Sequence, residues 1–150
     1  MLSMSPDQTP STDESIAEVE AQLGVLFGRV RTLWKEGAHR VHPDLQPVGY
    51  KLLATLVRSG SCSAGALAEL LATDKSVISR QVRLMEELGL VVSAPDPSDG
   101  RARILTATPE AVVKIDAIRD TNQAELRARL SDWSDDDLTR FATLLARLAQ

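Results

Sequence analysis

Ser76, Ser79, Arg80 and Arg83 recur at i, i+3, i+4 and i+7, so a helix over this stretch carries them on one stripe. Small hydroxyls and guanidinium groups on one exposed face suit a double-stranded nucleic acid. The small side chains allow close approach, while Arg pairs with phosphate or with the O6 and N7 of guanine in a major groove. Thr73 and Lys75 stand just ahead of the stripe, where the positively polarised start of a helix favours phosphate. Alone, such a stripe is equally well an ordinary solvated helix face, so the decision rests on what surrounds it.

The other reactive groups are sparse. His39 and His42 have the i, i+3 spacing of a metal pair, but two histidines make an incomplete site and no Cys or further His supports them. No metal is expected there; a loop, cap or pocket-wall role is simpler. Cys62 is the single cysteine, which excludes an intramolecular disulfide. No cationic residue adjoins it to lower its pKa, so it reads as a semi-buried small residue rather than an oxidant sensor. With no phosphate-cradling glycine loop and no nucleophile–His–acid set, neither an enzyme nor a cofactor is expected.

The elements that must position the stripe follow from periodicity. Ile78, Val82 and Met85 form a separate apolar face on a helix from about Lys75 to Leu88. A shorter helix precedes it, about Ala64 to Leu71, with Ser63 as N-cap and Leu67, Leu70 and Leu71 apolar. Ala72-Thr73-Asp74 separates the two as a tight turn, and Gly89 ends the second. Leu90-Val91-Val92 then begins a strand, Pro95 to Gly100 is dense in turn formers, and Arg103 to Thr106 returns as a second strand. Arg101 and Arg103 make the tip of this hairpin basic. Two helices, a turn and a basic hairpin describe a winged helix-turn-helix.

With these residues in order, the chain resembles the MarR family of transcriptional regulators. The resemblance rests on Asp74-Lys75-Ser76, Ser79-Arg80, Met85-Glu86, Gly89-Leu90-Val91, Asp99 with Arg101-Ala102-Arg103, and Thr108, an ordered set covering about Leu67 to Ala111. Three positions depart from the family pattern: Gly100 replaces the first wing Arg, Ala107 a Leu and Ala111 a Gly. The first weakens or repositions the wing's contact; the others alter local packing. The resemblance implies that Arg101, with Arg103, reaches the minor groove or flanking backbone, Asp99 orienting one of them. It also implies a pocket for small aromatic acids between the DNA-binding lobe and the dimer helices, for which Trp34, His39 and His42 are the candidate wall. Ligand binding there would change the spacing of the two recognition helices.

The flanking segments fit a mainly α fold with long terminal dimerisation helices. Residues 1–12 are Ser/Pro/Thr-rich and read as a disordered tail, and residues 13–150 as one domain. Ile16, Val19, Leu23, Leu26, Val30 and Leu33 alternate steps of three and four, a seam for packing on other long helices. That helix is expected over about 13–38, ending in a break from Gly37 to Leu45. Pro47 opens the next helix and Gly60 closes it, beginning a winged region of about 47–107. Residues 108–150 supply two more helices, started by Thr108-Pro109-Glu110 and Ser134-Asp135-Asp136-Asp137. Leu138, Phe141, Leu145 and Leu148 form an apolar face on the last one, which a second copy of the chain would bury.

Net charge is −4, but the sum conceals its distribution. Residues 1–20 hold five acids and no Lys or Arg, whereas residues 51–103 hold seven basic against six acidic residues. Local field decides whether phosphate is attracted, so the acidic total argues against tight non-specific binding and leaves specific binding intact. No apolar run approaches a membrane span and no leader segment is visible, so a cytoplasmic protein without membrane contact is expected. The expected function is a homodimeric, sequence-specific regulator on an inverted-repeat operator in double-stranded DNA, and the family resemblance implies a repressor released by a small-molecule ligand. The alternative is a winged helix used for protein contacts without specific DNA binding.

Overall fold

The computed structural model describes residues 10–150, so residues 1–9 of the expected tail lie outside the described residues. Ser11 already belongs to the fold. Its hydroxyl accepts the Glu14 N–H at 3.2 Å while the Glu14 carboxylate accepts the Ser11 N–H at 2.7 Å, a reciprocal cap that starts helix α1 at Thr12.

Helix α1 spans Thr12–Val41 and runs straight through the expected break at Gly37. The glycine is there for packing, not termination. A Cβ at Gly37 would stand 2.6 Å from Cζ of Tyr50, so its absence lets the tyrosine of the next helix lie flat on α1. The break is shorter than expected, beginning at the C-cap His42, and α2 follows at Pro47–Ser59. Leu52, Leu53 and Leu56 of α2 are at the centre of the core, with Ala38 and Val41 of α1 against them.

The remaining elements are strand β1 (Cys62–Ser63), helix α3 (Ala64–Leu71), helix α4 (Lys75–Glu87), strands β2 (Val91–Pro95) and β3 (Arg103–Ala107), helix α5 (Pro109–Leu130) and helix α6 (Asp135–Leu148). The expected two-stranded hairpin gains a third strand. The Ser61-Cys62-Ser63 linker pairs antiparallel with β3, Cys62 opposite Leu105 and Ser63 opposite Ile104, giving the order β1-β3-β2. Two residues are too few to show a strand period, which is why the linker gave no sign of it. Ser63 then caps α3 through the Ala66 N–H at 3.1 Å. Within α3 only Leu67 is fully buried, and Leu70, apolar and at helical spacing from it, is 60% exposed. An eight-residue helix has little more than two turns, and Leu67 with Leu71 already fills its contact side.

Thr108 joins the start of α5 to the turn between α4 and β2. Its hydroxyl donates to the Gly89 carbonyl at 2.9 Å and accepts the Ala111 N–H at 3.3 Å, and its own N–H donates to the Leu90 carbonyl at 3.0 Å. Thr108→Ala is expected to lower stability by about 1 kcal/mol through the lost helix cap. Urea unfolding of the variant beside the parent measures it.

Candidate nucleic-acid interface

The turn between α3 and α4 is made by Ala72 in the left-handed region, φ 46°, a conformation that costs a non-glycine residue energy. It ends α3 sharply, with the Thr73 N–H returning to the Ala68 carbonyl at 3.0 Å. Helix α4 then divides as its spacing predicts: Ile78, Val82 and Met85 are buried, and Ser76, Ser79, Arg80 and Arg83 are all exposed. Gly89, at φ 72°, turns the chain into the sheet.

Two of the hydroxyls are already engaged. Ser79 donates to the Lys75 carbonyl at 2.9 Å and Thr73 to the Leu71 carbonyl at 3.0 Å, so each presents acceptor lone pairs outward rather than a proton. Asp74 is the N-cap of α4 but makes no side-chain cap bond. The Val77 N–H bonds back to the Asp74 carbonyl at 3.0 Å, so the first-turn donors left without an intrahelical partner are those of Lys75 and Ser76, both exposed residues.

In the wing, β2 and β3 pair from Val91 opposite Ala107 to Pro95 opposite Arg103. Asp99 holds the tip, but through the backbone: its carboxylate accepts the Arg101 N–H at 3.1 Å, not a guanidinium. Arg101 is exposed at the end, while Arg103 folds back along the sheet onto Ser93. Asp96 accepts both the Ser98 N–H at 2.9 Å and the Ser98 hydroxyl at 2.8 Å. These bonds hold its carboxyl below the usual carboxylate range. A depressed folded pKa contributes order that is present above the unfolded value of about 4 and lost as pH falls through the folded one. The wing tip is therefore expected to loosen only in acid below the ordinary carboxylate range. An NMR titration of the Asp96 carboxyl alongside the Ser98 amide would show both changes together.

A groove of about 460 Å³ lies between α1, α2 and α5, walled by Leu26, Val30, Leu33, Tyr50 and Ile115. Trp34, His39 and His42 are not among its lining residues. Trp34 lies under the Lys51 ammonium, 4.9 Å from its ring centre; His39 is exposed; His42 caps α1 and accepts the Asp44 N–H at 3.1 Å. The rim instead carries Arg29, Arg58, Arg119 and Arg129, with Arg29 3.9 Å from Glu125. Sequence reasoning missed these arginines. The signal was a mixed stripe on α5, Arg119, Asn122, Leu126 and Arg129 at i, i+3, i+7 and i+10. Cys62, half-buried in β1, has its thiol pKa pushed up by burial. Among the described residues, no cluster of three or more His, Cys, Asp or Glu side chains could hold a metal, and no helix is long and apolar enough to cross a membrane.

Comparison with known proteins agrees with this geometry. The MarR family model matches residues 44–102. The uncharacterized HTH-type transcriptional regulator YxaD of Bacillus subtilis is 28% identical over 79% of this chain and 82% of its own. The HTH-type transcriptional repressor MdtR of the same organism is 22% identical over 93% of this chain and 89% of its own. A MarR family protein from Bacillus stearothermophilus has the same fold, with TM-score 0.75, 22% identity and coverage of 94% of this chain and 97% of that one. So has a mutant MarR from E. coli complexed with operator DNA, with TM-score 0.70, 15% identity and coverage of 94% and 100%.

Proposed function

We propose, from the premise that this chain is a DNA-binding transcriptional regulator of the MarR family, that it acts as a homodimeric repressor of an inverted-repeat operator and is released by a small amphipathic acid. The observation that carries this reading is the two-sided division of α4, apolar into the core and Ser76, Ser79, Arg80 and Arg83 outward, beside a wing with Arg101 at its end. In this mechanism the α4 stripe enters the major groove. Arg80 and Arg83 address guanine edges or phosphates, and Thr73 and Lys75 meet the backbone at the helix start. Arg101 reaches the neighbouring minor groove or backbone. Asp99 acts by shaping the turn that presents Arg101. Repression is supported by the relative MdtR, itself named a repressor.

Dimerisation is supported by apolar surface that one copy leaves open. α6 has no buried residue, and Phe141 and Leu148 are 41% and 62% exposed. Ile16 and Val19 of α1 and Leu126 of α5 are open as well. A two-fold dimer built on these faces can present its two α4 helices to major grooves about 34 Å apart, one turn of the duplex, as an inverted repeat requires. The ligand reading moves from Trp34, His39 and His42 to the α1–α2–α5 groove, whose apolar wall and arginine rim suit an aromatic body with a carboxylate.

The test is fluorescence anisotropy with the duplex upstream of the chain's own gene, against a scrambled duplex, at two salt concentrations. Tight binding to the native duplex alone, weakening with salt, is the expected result. Equal or absent binding on both would favour the protein-contact reading.

A further inference from the structure

Glu86, Ser93 and Arg103 form a polar cluster between α4 and the wing. Ser93 lies on β2 and Arg103 on β3, two register steps apart on the same face of the sheet, since Ser93 pairs with Leu105 and Arg103 with Pro95. That diagonal lets the guanidinium return to Ser93. Nε donates to the Ser93 hydroxyl oxygen at 3.0 Å, and Nη2 donates to the same oxygen and to the Ser93 carbonyl, each at 2.9 Å. The hydroxyl's one proton goes the other way, to the Glu86 carboxylate at 2.5 Å. A serine hydroxyl has one donor and two acceptor sites, and here all three are used.

Glu86 is on the last turn of α4, seven residues after Ser79 and three after Arg83, so it continues the outward stripe. A bare carboxylate there would repel phosphate. Joined through one hydroxyl to a guanidinium, it becomes one end of a neutral unit that spans from the recognition helix to the far strand of the wing. Arg103 has committed three of its donor contacts to Ser93.

We propose that Glu86, Ser93 and Arg103 form a clamp that fixes the wing's angle to α4, so that Arg103 is a positioning residue for DNA binding and Arg101 alone carries the wing's phosphate contact. This rests on the DNA-binding reading above. The clamp acts through geometry. Its loss should weaken affinity without changing the number of phosphates neutralised, and each phosphate contact is worth about 0.9 in the slope of log K against log salt.

The test is a salt series of anisotropy titrations on the upstream duplex, paired with amide hydrogen exchange of the wing in the free protein. Arg103→Met and Ser93→Ala are each expected to lower affinity about fivefold with an unchanged salt slope. The double variant should be no worse than either, because both break one unit. Ser93→Thr keeps the hydroxyl and should restore binding relative to Ser93→Ala. Arg101→Met should instead reduce the slope by about 0.9. In the free protein, the Asp96 amide, bonded to the Ala102 carbonyl at 2.9 Å, should exchange faster in Arg103→Met and Ser93→Ala. A slope reduced by about 0.9 in Arg103→Met would make Arg103 a phosphate contact and overturn the proposal, as would unchanged affinity in Ser93→Ala. If no variant or parent binds any duplex, the DNA reading fails by itself, and the exchange rates still decide: faster exchange supports the clamp, and unchanged exchange overturns it.

Discussion

Arg83→Ala is expected to lower affinity for the operator by about 10- to 100-fold, the range of a lost bidentate contact to a base edge or of a lost contact to phosphate with its neighbours. The fold should not suffer, because Arg83 is exposed and the inward face of α4 is Ile78, Val82 and Met85. Titrations at several salt concentrations separate the two roles. If Arg83 reads a base, discrimination against the scrambled duplex collapses while the salt slope stays close to the parent's. If it holds phosphate, affinity for both duplexes falls and the slope drops by about one contact. Arg80→Ala, three residues earlier on the same stripe, provides the comparison. Binding as tight as the parent's in Arg83→Ala would remove α4 from the groove.

The largest effect on stability is expected from Gly37→Ala. The new methyl would stand 2.6, 2.8 and 3.0 Å from Cζ, Cε2 and Cε1 of Tyr50. These are atoms of a rigid ring that is itself buried, so the neighbour cannot swing aside as a flexible chain end would. Overpacking of this kind costs about 3 kcal/mol. Gly49→Ala makes a useful contrast, because its methyl would meet the ends of two side chains, Cδ1 of Leu45 at 2.7 Å and Oε1 of Gln81 at 2.9 Å. Those can shift, so a smaller loss of about 1 kcal/mol is expected. Tyr50→Ala should relieve the clash in the Gly37→Ala chain, making the double variant more stable than the sum of the single losses allows. Chemical unfolding of the four proteins measures the cycle.

The sequence was most legible where one helix carried two kinds of residue. In α4 the apolar spacing and the Ser/Arg spacing are independent signals that agree, and both faces lie where periodicity puts them. Caps were legible for the same reason: Ser63, Thr108 and Ser134 each accept an N–H two or three residues into the helix they precede. What failed was anything decided by a distant partner. Gly37 looks like a helix breaker until Tyr50 is seen against it, and local propensity is weak when a tertiary contact selects the residue. The groove gathers Arg29, Arg58 and Arg119 from three helices, and no spacing along one helix brings them together. His39 and His42 drew attention by type and spacing, yet His39 sits on the solvent side of the last turn of α1 and His42 at its cap. Arg103 was legible as a basic residue of the wing, but its fold back to Ser93 depends on strand register, which only the paired sheet defines.

The unbroken passage of α1 through Gly37 makes that helix a lever. Its 30 residues form a rod of about 45 Å, anchored in the core by Gly37, Ala38 and Val41 at one end, with Ile16 and Val19 uncovered towards the other. The groove meets the rod near its middle, at Leu26 to Leu33. A tilt of only 5° about the anchored end carries the far end through about 4 Å, more than the separation of successive base pairs along a duplex. An unbroken helix would carry such a tilt past the groove to its exposed N-terminal half, so the close approach of Tyr50 that needs a glycine at 37 lies at the pivot of the rod.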